Sequence, residues 1–146
     1  MPGRETTPTL VSILICDQVI DDKFTNKKSA IGLFNTIVAS SLPSRVQQMA
    51  VLATLTEITS PTPLELRLLR DADNDVLFAT QGRIDAPNPL ATVDLVFTMA
   101  GIQFASTGQY AFELLSREVL LGRRRFHVVK PPPQQQQQPD PEQSGG

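Results

Sequence analysis

Few side chains in this chain could run a reaction: one cysteine, Cys16, one histidine, His127, and an alternating run of acids, Asp71, Asp73 and Asp75. A thiolate activated by an imidazole is a common use of the first two, and it needs them within hydrogen-bond reach. They lie near opposite ends of the sequence, so only a fold that pairs its first and last strands would join them. Cys16 closes the most apolar run of the chain, residues 10–16, and burial raises a thiol's pKa and leaves it inert. The expectation is a structural cysteine, no catalytic residues and no enzyme. Zinc is not expected either, because one Cys and one His fall short of the usual four ligands.

The Asp71, Asp73 and Asp75 run suggests calcium, since oxygen-rich loops at one end of a β domain hold that ion. It is a weak metal candidate. An EF-hand loop continues with Gly and a later Glu, whereas Val76 and Leu77 begin a strand. A hairpin turn in which Asp and Asn accept positive φ explains the same residues. A calcium-dependent or small-ligand sensor would also need Asp21 and Asp22 at the same end of the fold. No phosphate-binding glycine loop occurs, and no cofactor is expected. Arg123, Arg124 and Arg125 form the densest positive charge. On a strand, Arg123, Arg125 and His127 share one face and Phe126 and Val128 the other. That basic stripe is a candidate partner-binding site, although cationic side chains also guard a sheet edge, and Glu113 or Asp94 is a candidate cross-strand partner. Aromatics at core positions argue against stacked sugars.

These residues must be carried by strands. Runs 10–16, 30–38, 49–58, 64–68, 76–84, 93–99 and 108–129 alternate apolar with polar residues or are β-branched throughout, and prolines and Asp-rich corners separate them. Leu64, Leu66 and Leu68 share one face, as do Val93, Leu95, Phe97 and Met99. Tyr110, Phe112 and Leu114 alternate with Ala111 and Glu113. Val76 and Phe78 are expected to point inward, and Gly32 within its strand suggests a bulge or a close approach of another chain. No segment has the length and period of an amphipathic helix. The fold expected is all-β, a single antiparallel sandwich of immunoglobulin-like or jelly-roll-like type with about eight strands. It occupies residues 10–130, between a flexible leader over 1–9 and a disordered Pro/Gln-rich tail over 131–146. The tail could also dock into a groove that accepts polyproline.

Composition narrows the setting. The chain has 146 residues, 40% of them hydrophobic and 19% charged, and a net charge of −2. An acidic surface does not displace phosphate counterions, so no nucleic acid is expected. No run approaches the ~20 apolar residues that span a bilayer, so no membrane is expected. A lone cysteine in a small β domain suits a reducing compartment, and the expected location is cytoplasmic.

Residues 13–17, Ile-Leu-Ile-Cys-Asp, with Ile31-Gly-Leu-Phe34 and Gly108-Gln-Tyr-Ala-Phe112, resemble a bacterial family known only as domain of unknown function 6941. The likeness spans roughly residues 10–129. It implies a small β-sandwich and no known activity, and it supplies no catalytic residues. With strands complete and no chemistry to spare, the expected role is a protein–protein interaction or assembly module. Its partner would be another protein or a second copy, joined through an exposed sheet edge such as the strand of Arg123 and Arg125.

Overall fold

The computed structural model describes residues 7–133, so the leader up to residue 6 and the tail from residue 134 lie outside it. Among the described residues there are nine strands and no helix: β1 (Thr9–Asp21), β2 (Lys28–Leu33), β3 (Thr36–Val38), β4 (Ser44–Thr56), β5 (Thr62–Arg70), β6 (Val76–Ile84), β7 (Val93–Phe104), β8 (Gly108–Ser116) and β9 (Val119–Val129). They form a four-stranded sheet in the order β2-β1-β4-β7 and a five-stranded sheet in the order β3-β9-β8-β5-β6.

Side-chain alternation builds the core. Leu64, Leu66 and Leu68 on β5 meet Tyr110, Phe112 and Leu114 on β8 and Phe126 and Val128 on β9. Opposite them, Met49, Val51, Ala53 and Leu55 on β4 join Phe97 and Met99 on β7 in one buried cluster. Fully burying a side chain of this size stabilises by roughly 1.5–3 kcal/mol. Four rings form the centre: Phe104 and Tyr110 meet edge to face at 4.9 Å, and Phe112 and Phe126 stack at 5.4 Å. Edge-to-face and offset stacking both suit the ring quadrupole.

The structure departs from expectation in three places. There are nine strands rather than about eight, and the five-stranded sheet is mixed, because β3 runs parallel to β9. The single strand expected over 30–38 breaks after Leu33: β2 pairs with β1 in one sheet, and β3 joins the other. Asn35 fixes that crossover. Its carbonyl accepts from the His127 amide at 2.9 Å, and its Oδ1 accepts from Arg124 Nη2 at 2.9 Å. Finally, Val76 is exposed, because a register shift between Leu68 and Leu69 reverses its facing while Phe78 still packs on the core.

The sheets approach each other at both flanks, β6 beside β7 and β1 beside β9. At each meeting a glycine makes room. A side chain on Gly82 would crowd Leu95 and Phe97, and one on Gly122 would collide with Leu10.

Candidate functional site

On β9 the alternation holds: Phe126 and Val128 are buried, while Arg123, Arg125 and His127 are exposed. The stripe is nonetheless neutralised within its own sheet. Arg123 pairs with Glu113 at 3.0 Å, its cross-strand neighbour on β8, and with Asp71 at 3.5 Å; Arg125 reaches Asp71 at 3.7 Å. Further across, Arg67 pairs with Glu65 at 3.0 Å on β5. The Arg67 guanidinium is held above its ordinary range first by its hydrogen bond to Glu65, then by that carboxylate's charge, with Glu113 and Glu118 adding more distantly. The outer face of the five-stranded sheet is therefore a lattice of alternating charge. His127 pairs across the sheet with Gln109 and lines a shallow depression of about 420 Å³ with Thr107 and Gly108.

The aspartates do not converge. Asp71 serves the two arginines. Asp73 pairs with Arg70 at 3.4 Å and accepts from the Asp75 amide at 3.1 Å, closing the turn. Asn74 takes φ 56°, as a turn of this composition allows. Asp21 binds Lys28 at 2.7 Å, and Asp22 accepts from the Phe24 amide at 2.8 Å. Among the described residues no three His, Cys, Asp or Glu side chains lie where they could hold a metal. Cys16 and His127 are likewise apart, one buried in the four-stranded sheet and the other on the outer face of the five-stranded one. The Cys16 thiol has no exposed surface and donates to the Ala50 carbonyl at 3.8 Å. Burial pushes its pKa up, and the charge of Asp17 raises it further.

The feature that sequence reasoning missed is the β1–β2 hairpin. β2 ends its sheet, so one side of its backbone has no partner strand among the described residues. From the register, Ile20, Ile31 and Leu33 stand on one face of the hairpin. All three are exposed, Leu33 at 62%, and Phe24 at the hairpin tip is wholly exposed. Scattered apolar residues on a surface need no explanation, but here four stand on one hairpin beside an open edge. On the other hairpin face Asp17 stands opposite Gly32, beside a cavity of about 310 Å³ lined by Leu33, Phe34, Ile37 and Val46. A signal was present in the sequence. Ile31 and Leu33 alternate with Ala30 and Gly32, so one face of the strand carries the bulk and the other almost none.

No helix among the described residues is long and apolar enough to cross a membrane. No curated protein matches the chain. A family model, described as a family of unknown function and numbered DUF6941, matches residues 11–129, nearly the whole of the described chain and the span carrying every strand pair above. The chain belongs to this family.

Proposed function

We propose that this chain is a non-enzymatic protein-interaction module, a β-sandwich in architecture, whose contact surface is the β1–β2 hairpin. The observation that carries the reading is the coincidence of an unpaired edge strand with Ile20, Phe24, Ile31 and Leu33, all exposed on that one hairpin. A partner strand added at β2 would gain backbone hydrogen bonds from the edge and apolar contact from the hairpin face. The charge lattice on the opposite sheet favours solvent there, which makes the two faces unlike. Arg123, Arg125 and His127, the exposed basic stripe of β9, are the second surface retained under this reading.

The test is tagged full-length chain recovered from its own host, with the mass of the product read by light scattering. The reading expects a defined complex, with another protein or a second copy, that is lost on Ile31→Lys with Leu33→Lys. A bare single chain from both preparations would remove the reading. The calcium-sensor alternative finds no support in the geometry, since the carboxylates of Asp21, Asp22, Asp71 and Asp73 are each engaged locally and no three acids of the described loops converge. Titrating calcium while following the thermal midpoint is its direct check, and a shift at millimolar ion would revive it.

A further inference from the structure

The hairpin also indicates the chemistry of its partner, an inference that rests on the interaction reading above. Asp17 continues the alternation of Ile13 and Ile15, but unlike buried Ile15 it is exposed to solvent. Directly across from it, between the pairs Cys16–Leu33 and Gln18–Ile31, is Gly32. Gly32 has φ 73°, and the Asp17 carboxylate occupies the space that a β-carbon there would need. The acid of an inner strand thus lies over the backbone of the edge strand at Gly32. Among the described residues no hydrogen-bond donor and no cation is paired with it. The basic side chain nearest in sequence, Lys28, is taken by Asp21.

Beside this carboxylate lies the 310 Å³ cavity, with Phe34, Thr36, Ile37 and Val46 among its walls. Hydrocarbon walls with a single acid at the rim match a long basic side chain. Its stem buries against the apolar groups while its cation meets the exposed carboxylate in a charge-assisted hydrogen bond. The free edge of β2 supplies the means of holding such a residue in place, since an extended segment hydrogen-bonds to the edge and presents alternate side chains to one face. We infer that β2 receives an extended segment of a partner protein as an added strand, with a lysine or arginine of that segment seated between Phe34, Ile37 and Val46 on Asp17. The competing explanation is that a charge beside an edge serves to repel other strands.

The full chain, titrated by NMR with a capped peptide Thr-Val-Thr-Lys-Thr-Val-Thr and with its Gln and Glu counterparts, separates the two. The inference expects saturable shifts at the amides of residues 28–33 and at Asp17, with the Lys peptide about tenfold tighter than the Gln peptide and the Glu peptide weakest. Asp17→Asn should erase the preference for Lys, whereas Asp17→Glu, which keeps the charge, should retain most of it. Equal binding of the three peptides, shifts confined to other strands, no saturation at millimolar peptide, or an unchanged Lys preference in Asp17→Asn would each overturn the inference. If the peptides fail while the native complex of the tagged chain persists and still depends on Ile31 and Leu33, the basic-segment inference falls alone. Loss of both removes the interaction reading as well.

Discussion

Cys16 shows how one residue's environment decides its chemistry. A thiol with no exposed surface and an acid beside it holds its proton, so alkylating reagents should label it only after unfolding; labelling of the folded chain at the unfolded rate would contradict the burial. The same shift has a consequence for stability. Because the folded state keeps a proton that the unfolded state releases, the unfolded chain binds fewer protons above about pH 8.5, where a free thiol ionises, and stability falls as pH rises from there. Cys16→Ala should flatten that alkaline slope in urea titrations at successive pH values. The Lys28 ammonium, held above its ordinary range first by its hydrogen bond to Asp21, contributes in a different window, because its bond is lost only as pH rises through that higher value. At the centre of the core, the Tyr110 hydroxyl donates to the Ser106 carbonyl at 2.7 Å. Tyr110→Phe should therefore cost roughly 0.5–1.5 kcal/mol by urea denaturation, and a neutral substitution would show that the hydroxyl is as well satisfied by water.

Strands β4 to β9 were legible because parity is a local property. Leu64, Leu66 and Leu68 alternate with charged neighbours, and only one face of such a strand can be buried. The same reasoning placed Phe126 and Val128 inside and Arg123, Arg125 and His127 outside. It could not show that the strand over 30–38 divides between sheets, since that depends on Asn35 meeting β9, which is 92 positions away at His127. Nor could it show that the basic stripe is answered by Asp71 and Glu113, which come from other strands and loops. This network changes what a charge reversal does. Arg123→Glu would place three carboxylates together and should lower stability by roughly 1 kcal/mol, so lost binding in that variant would report unfolding as readily as a contact. An unchanged urea midpoint would mean that the network contributes nothing. The flank where β1 meets β9 can be tested separately. Gly122→Ala pushes into Leu10, and the damage should be relieved in the double variant with Leu10→Ala, giving a coupling of about 0.5–3 kcal/mol. Strict additivity would mean that the two strands do not touch there.

Taken as a whole, the molecule presents one sheet whose outer charges are matched to one another and one hairpin that carries exposed apolar groups, an open edge and an unmatched acid. Cys16 and His127 lie in different sheets, and Asp71 and Asp73 are each tied to arginines. The open apolar edge of the β1–β2 hairpin was harder to read, because an edge is a property of sheet order. Nothing in residues 28–33 shows that no strand lies beyond them. The expectation from sequence placed the surface on β9, which pairs with β8 along its length and with β3 over His127–Val129, while β2 pairs with β1 alone. The most direct test of this account compares the light-scattering mass of tagged wild-type chain recovered from its host with that of the Ile31→Lys, Leu33→Lys variant, both shown to have the same thermal midpoint. The account predicts a defined complex for the first and a single chain for the second. Identical masses for the two would contradict it.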